Sequence, residues 1–277
     1  MVSITDCYCD ITTSRLGLLR VLRMNVAVCI KQVLHRDARL HLDDFHTWID
    51  EADADFELNE PDAYALEEAL RLKEVHGGTV IVCSAGPARV VRALREALAR
   101  GADRAIHIQG DQLAAADPVE VAGVIAAALC EEDLDLVLTG LQSDDHGSGQ
   151  TGVILAELLG LPHATIVMEI QVATDGLRVK RELEAGWFQW IFTRTPAVLT
   201  IQSGINRLRY ATLKGIMAAK KKDVRVLAAA SVTSTARQRI RRLVPPAKRR
   251  TGVLLSGSPA AAANELIRRL RDEARVL

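Results

Sequence analysis

Between Met24 and Gln202, short apolar runs of strand character alternate with stretches whose apolar residues recur every three or four positions. Asn25-Val-Ala-Val-Cys-Ile-Lys-Gln-Val33 reads as one buried strand. Helix-period sequence follows over 61–76, with Leu66, Ala69, Leu70 and Lys73 stepping around it, and Gly77-Gly78 ends it. Residues 79–84 read as a second strand. Gly86-Pro87 opens a helix over 88–100, its proline placed where a missing N–H does no harm. Strand 104–109, helix 118–130, strand 135–139 and helix 151–159 complete the alternation. Such an order implies right-handed crossovers and a parallel sheet with helices on both faces.

The pattern changes after Gly160. Residues 164–172, 177–183 and 188–193 are β-rich, the first two separated by the turn Thr174-Asp175-Gly176, and they predict an antiparallel extension of the sheet. Residues 196–202 look like one more core strand. From Ile205 the chain loses clean alternation, and its last element is an amphipathic helix over 259–275 with Ala263, Leu266, Ile267, Leu270 and Ala274 on one face. There is no internal repeat.

Charge divides the chain at the same place. The 277 residues hold 35 basic and 35 acidic side chains, but residues 1–204 carry 17 basic and 31 acidic ones, and residues 205–277 carry 18 and 4. This asymmetry points to a body and an arm with separate partners, or to two halves that attract each other. No window approaches the ~20 apolar residues of a membrane span, so no membrane insertion is expected. Cys7, Cys9, Cys29, Cys83 and Cys130 form no regular framework and read as free thiols of a reducing compartment. Cys7-x-Cys9 lacks the second pair a metal site needs. Residues 1–23 read as a disordered extension, or as a start assigned too early.

In an open parallel sheet, ligands bind beyond the carboxyl ends of the strands. Three loops lie there: the segment after Lys31, the loop Cys83-Ser-Ala-Gly-Pro87, and Gly140-Leu-Gln-Ser-Asp-Asp-His-Gly-Ser-Gly-Gln-Thr-Gly152. The third is rich in glycines and hydroxyls and enters a helix, the materials of an anion cradle. A phosphate would meet backbone N–H groups near 148–151, with the hydroxyls of Ser148 and Thr151 beside them. The loop is neither G-x-G-x-x-G nor a Walker loop, since no lysine follows its glycines. A Gly-rich turn with a helix cap is the plainer alternative. His35, Asp37, His41, Asp43, Asp44 and His46 fit no metal-binding spacing and read as a polar loop. No Ser or Cys has the setting of a nucleophile, so binding loops rather than a reaction centre are expected.

Several motifs, in order from Met24 to the C-terminus, resemble the electron transfer flavoprotein β subunit. They are the first strand 25–33; Asn59-Glu-Pro-Asp-Ala-Tyr-Ala-Leu-Glu-Glu-Ala69, with its proline displaced by one position; Gly101-Ala-Asp-Arg104; and Gly140-x-Gln142…Asp145…Gln150-x-Gly152. Val179-x-Arg181-Glu182-x-Glu184-Ala-Gly186 through Pro196-Ala-Val-Leu-Thr200 resembles the family signature, with Ala185 where a glycine is common. Arg209-Tyr-Ala-Thr-Leu-Lys-Gly-Ile-Met-Ala-Ala-Lys-Lys-Lys222 is the most specific match. Trp187-Phe-Gln-Trp-Ile-Phe192 is unusually aromatic for the signature hairpin and reads equally as strand packing or partner contact.

The resemblance implies a Rossmann-like α/β fold of the adenine-nucleotide-binding type, a nucleotide-binding domain over 24–204, and a recognition loop and C-terminal arm over 205–277. It implies an electron carrier with no catalytic reaction of its own, located in the cytoplasm. The expected partners are an FAD-bearing α subunit, acyl-CoA or related dehydrogenases and a quinone-linked oxidoreductase, with no nucleic acid. AMP would sit against Cys29, Asn59, Glu60, Pro61, Asp62, Ala85, Ser143, Asp145, Gly147, Ser148, Gly149, Gln150, Thr151 and Gly152. Glu182 would help hold the flavin domain, and Arg209, Tyr210, Leu213, Ile216 and Met217 would dock the dehydrogenase. Two alternatives stay open: a bifurcating relative with a second, redox-active FAD in the nucleotide site, and a stand-alone adenine-nucleotide-binding module. Without the resemblance, Leu213 reads as a buried core leucine and Glu182 as half of an internal salt bridge.

Overall fold

The computed structural model describes residues 23–38, 40–52, 54–229, 236–245 and 252–277, so residues 1–22, where the extension is expected, and Cys7 and Cys9 within them, lie outside the described residues. The chain runs β1 (Val26–Cys29), β2 (Gln32–Leu34), β3 (Phe56–Leu58), α1 (Glu60–His76), β4 (Val80–Gly86), α2 (Val91–Arg100), β5 (Arg104–Gln109), α3 (Pro118–Leu129), β6 (Leu136–Gly140) and α4 (Thr151–Leu159). It continues with β7 (His163–Ala173), β8 (Gly176–Glu182), β9 (Phe188–Thr193), β10 (Ala197–Ile201), α5 (Leu213–Ala219), β11 (Val224–Ala228) and α6 (Pro259–Asp272).

Among the described residues, nine strands form one sheet in the order β11-β5-β4-β1-β6-β10-β7-β8-β9. All pairings from β11 to β7 are parallel, and β7-β8 and β8-β9 are antiparallel. The expected Rossmann-like sheet with an antiparallel extension is therefore present. The central strands are apolar at every position because both of their faces are covered. Val26 and Val28 face α1 and α2, packing with Leu66, Leu70, Leu94 and Leu98. Ala27 and Cys29 face α3 and α4, packing with Leu129, Leu155 and Leu159.

Three expectations need correction. The run 25–33 is two strands, because the Lys31 N–H is taken by the Asp62 carboxylate rather than by the sheet, and 32–34 then pair antiparallel with β3 in a separate ribbon. Residues 88–90 form a 3₁₀ turn ahead of α2. The region after Ile205 is not an arm alone. It contains α5, and β11, which lies parallel to β5 at the sheet edge. Arg225 bonds Glu131 at 2.7 Å, and Arg104 pairs with Glu132, so ion pairs brace that edge. The compact body ends at Arg242, and a second unit holds Leu243–Leu277, so the expected boundary at 204 falls inside the body. The sequence missed β11 because Val224-Arg-Val-Leu-Ala228 alternates like an edge strand while sitting in a lysine- and arginine-rich stretch.

The second unit contains α6, capped by the Ser258 hydroxyl, which accepts from the Ala261 N–H at 3.3 Å. Its Leu266 and Ile267 are exposed. The β8–β9 hairpin buries Leu177 and Val179 on one face and exposes Trp187, Phe188 and Phe192 near its outer strand. On the face opposite Leu177 and Val179, Arg178 lies over the Trp190 ring and Lys180 over the Phe188 ring.

At the tip of this hairpin Ala185 adopts φ 57° and ψ 27°, the left-handed region in which a Cβ is strained. Ala185→Gly is expected to stabilise the chain by about 1 kcal/mol. A denaturant midpoint that stays level or falls would contradict this account of the turn.

Candidate functional site

The sheet order reverses at β1: the chain moves outward to β4 and β5, then returns to place β6 on the other side of β1. A crevice opens beyond the carboxyl ends at such a reversal. The first turn of α1 spans it. Asp62, 6% exposed, accepts the Lys31 N–H through Oδ2 at 2.7 Å and the Gly140 N–H through Oδ1 at 2.9 Å, so one carboxylate joins the ends of β1 and β6. Asn59 adds two bonds to the third loop, its Nδ2 donating to the Gln142 carbonyl at 3.0 Å and its Oδ1 accepting from the Asp144 N–H at 3.0 Å. Asn59 and Asp62 thus spend their polar atoms on loop backbone.

The third loop forms a turn closed by the Gly147 N–H on the Ser143 carbonyl at 2.8 Å, then enters α4. The Gln150 side chain does not cap the α4 N-terminus, and no other side chain among the described residues does so. Its first N–H groups therefore remain free to meet an anion, with the helix dipole reinforcing them. Gly152 lets α4 lie against the sheet: a Cβ there would come within 2.6 Å of Thr200 Cγ2 and 2.7 Å of Thr139 Oγ1.

These parts line a cleft of about 110 Å³. Cys29, Asn59, Asp62, Ala85, Ser143, Ser148, Gly149, Gln150, Thr151 and Gly152 all line it. Glu60, Pro61, Asp145 and Gly147 do not; Glu60 instead lies 3.8 Å from Arg36, and Asp145 lines an adjoining cavity. The sequence missed an apolar wall of Leu113, Ala116, Pro118, Val121 and Ile125, and it missed Lys31. The wall comes from α3 and the turn before it, whose apolar periodicity reads as ordinary core.

The charges in the cleft are few. Burial pushes the Asp62 carboxyl up to about 7, restrained by its backbone donors, by Asn59 and by the Lys31 charge. Burial would also raise Asp145, but the charge and hydrogen bond of Lys31 and the Ser143 hydroxyl outweigh it and leave this carboxyl below its usual value. His146, packed edge-on to Trp48 with ring centroids 5.2 Å apart, is lowered by burial and then by Lys31. Burial raises both Cys29 and Cys83, the latter to about 12, so neither thiol is a ready nucleophile. Among the described residues no group of three or more His, Cys, Asp or Glu is placed to hold a metal. In the polar loop, Asp43 accepts from the N–H groups of Thr47 and Trp48.

A second constellation lies on α5 and the segment that leads into it. Tyr210 is 92% exposed, Leu213 82% and Met217 70%, with Ile216 also exposed, which overturns the buried-core alternative for Leu213. Arg209 does not join this free surface. Its guanidinium is fixed to Glu67 at 2.7 Å and Glu74 at 2.6 Å, bonds that hold it well above its usual pKa. Lys222 is likewise internal, donating to the Leu98 and Ala102 carbonyls at the end of α2. Arg95 binds the Ala219 carbonyl at 2.6 Å, so α5 is fastened to α2 by its C-terminal carbonyls. Glu182 accepts from Gln202 Nε2 at 3.4 Å and has no basic partner within ion-pair distance among the described residues.

Comparison with known proteins now bears on this arrangement. Residues 47–232 match the model of the electron transfer flavoprotein domain. The chain is 33% identical over 261 residues to "Electron transfer flavoprotein subunit beta" of Methylophilus methylotrophus, covering 90% of this chain and 98% of that one. It is 34% identical over 261 residues to the protein of the same name from Bacillus subtilis (strain 168), covering 92% of this chain and 100% of that one. The chain belongs to the electron transfer flavoprotein β subunit family. That family assignment gives the exposed α5 surface and the cleft a common setting, an electron-transfer protein made of subunits. No helix among the described residues is long and apolar enough to cross a membrane.

Asp62 generates two expectations. Asp62→Asn turns an NH₂ toward a buried N–H donor, and the cost is expected to be about 1–3 kcal/mol. The wild-type carboxyl rises from 3.8 unfolded to about 7 folded, so its protonation favours the fold at low pH. Relative to Asp62→Asn, wild-type stability is expected to fall as pH rises from about 4 to about 7 and to level off above, in urea melts across that range. A difference that grows with pH would show the opposite linkage.

Proposed function

We propose that this chain is the β subunit of a heterodimeric electron transfer flavoprotein of the cytoplasm, an electron carrier without a catalytic reaction of its own. It pairs with an α subunit that holds FAD, docks acyl-CoA or related dehydrogenases, and delivers electrons toward a quinone-linked oxidoreductase. AMP occupies the cleft as a structural ligand. The observation that carries the reading is the α5 surface: Leu213 and Met217, with Tyr210 in the segment just before them, stand out at a helix bolted to the body by Arg95, Lys222 and Gly215. An apolar knob held rigid in this way suits insertion into a partner's pocket, because little side-chain and backbone freedom remains to be lost.

The cleft supports the nucleotide. It offers an uncapped helix N-terminus with the Ser148 and Thr151 hydroxyls for a phosphate, and the apolar wall at Val121 and Ile125 for a base. FAD, when bound by the α subunit, supplies the one- and two-electron chemistry; the residues of this chain bind, orient and dock. Glu182, without an ion-pair partner among the described residues, is available to the flavin-bearing subunit. The exposed aromatics Trp187, Phe188, Trp190 and Phe192 and the apolar stripe of α6 give that subunit apolar surface to cover.

Two measurements test this reading. Ligand released on denaturing the purified heterodimer is expected to be AMP with one FAD per dimer; two FAD and no AMP would make the chain a bifurcating relative. Leu213→Ala is expected to slow reduction of the heterodimer by its dehydrogenase at least tenfold, the loss of about 1.4 kcal/mol or more. Nucleotide content and subunit pairing stay as in the wild type. Unchanged electron-transfer kinetics would remove Leu213 from the docking site.

A further inference from the structure

The segment that carries Tyr210 and Leu213 is fastened on both sides. On the α1 side, the Arg209 guanidinium donates to the two carboxylate oxygens of Glu67 at 2.7 Å and 3.0 Å, and to those of Glu74 at 2.6 Å and 3.3 Å. The backbone N–H of Arg209 adds a further bond to Glu67 at 3.3 Å. Three residues earlier, Asn206 donates to the Tyr64 carbonyl at 3.1 Å and to Glu68 at 3.0 Å. On the α2 side, Gly215 lies so close to the Ala99 carbonyl that a Cβ would collide with it. Leu213 therefore stands between two posts, four residues after one and two before the other. Glu67 is buried, and Arg209 is its ion-pair partner among the described residues.

We propose that Glu67 and Glu74 of α1 are positioning residues for docking: through Arg209 they set the stance of Leu213, and Arg209 itself does not touch the dehydrogenase. This rests on the docking reading given above and moves Arg209 from the docking surface to the scaffold beneath it. A guanidinium shared by two carboxylates has its charge neutralised and most of its N–H donors engaged, so little attraction is left for an acidic partner. Steering falls instead to Lys214, Lys220 and Lys221, which are exposed and whose side chains have no partner among the described residues. The gain from the clamp is entropic. A segment that is already ordered loses less freedom on binding, and each residue left mobile would add to that cost. The bidentate fork also fixes direction, which a single ammonium in its place could not do.

The test measures turnover of the dehydrogenase with the purified heterodimer as its electron acceptor, in Arg209→Gln, Glu67→Gln and the double variant. Each is expected to raise the KM for the heterodimer about tenfold at unchanged kcat, the cost of ordering a segment that the wild type holds in place. The double variant is expected to lose no more than either single one, because both remove the same clamp. The steepness with which KM rises with salt is expected to stay as in the wild type in all three, and to fall in Lys214→Gln. Should Arg209→Gln or Glu67→Gln fail to fold, Glu74→Gln decides alone, since its carboxylate is largely exposed. A raised KM with the wild-type salt dependence then supports the clamp, and an unchanged KM overturns it. A KM raised by Arg209→Gln but not by Glu67→Gln, or losses that add in the double variant, would place Arg209 against the dehydrogenase and overturn the proposal. So would three variants with the KM of the wild type, while Leu213→Ala still slows reduction and leaves the docking reading in place. Unchanged kinetics in Leu213→Ala would instead remove the docking reading, and this inference with it.

Discussion

A buried carboxylate holds together the two strand ends between which the cleft opens. Asp62 accepts the N–H of Lys31 at the end of β1 and of Gly140 at the end of β6. Those strands are neighbours in the ladder but leave it in different directions, one into the β2–β3 ribbon and one into the glycine-rich loop. Without an acceptor, both N–H groups would be buried and unpaired as the chains diverge. Gly140 has no room for a side chain, because a Cβ would run into Asp62 and Pro61. The carboxylate, the glycine and the start of α1 therefore form one fitted unit, and the cradle, Lys31 and its partners are placed from it.

The same economy appears at α5. Arg95 closes the carbonyls of Ala219 and Lys222 onto α2, Lys222 in turn donates to the Leu98 and Ala102 carbonyls at the end of α2, and Gly215 allows the approach to the Ala99 carbonyl. Arg209 fixes the incoming segment to α1 through Glu67 and Glu74. Part of the basic charge after residue 204 is thus internal bracing against the acidic body. The neutral total is partly a self-attraction, as Arg225 with Glu131 also shows. Among the described residues, the side chains of Lys214, Lys220 and Lys221 near the apolar knob have no hydrogen-bonded partner in the body.

Much of the fold is legible in the sequence. The alternation of apolar runs with 3.6-period stretches located β5, β9 and α4 to the residue, because their boundaries carry strong signals: Gly101 before β5 and Gly160 after α4. Departures occurred where long-range partners decide. Lys31 reads as strand until Asp62, thirty-one positions away, takes its N–H. β11 reads as basic arm until β5 pairs with it. The cleft was legible in its loops, since glycine and hydroxyl residues after a strand announce a cradle. Its apolar wall was not, because Val121 and Ile125 have the same periodicity whether they face a ligand or a core.

By itself the sequence determined the classes of element, their order, the parallel sheet and the glycine-rich loop, because these depend on periodicity and on residues close along the chain. Only the tertiary structure decided which polar side chains are spent internally and which stay free. Arg209 and Asp62 are spent; Leu213 and the N-terminus of α4 are free. The physical reason is that a charge or a hydrogen-bonding group has no fixed role until its partner is known, and those partners lie tens to more than a hundred residues away.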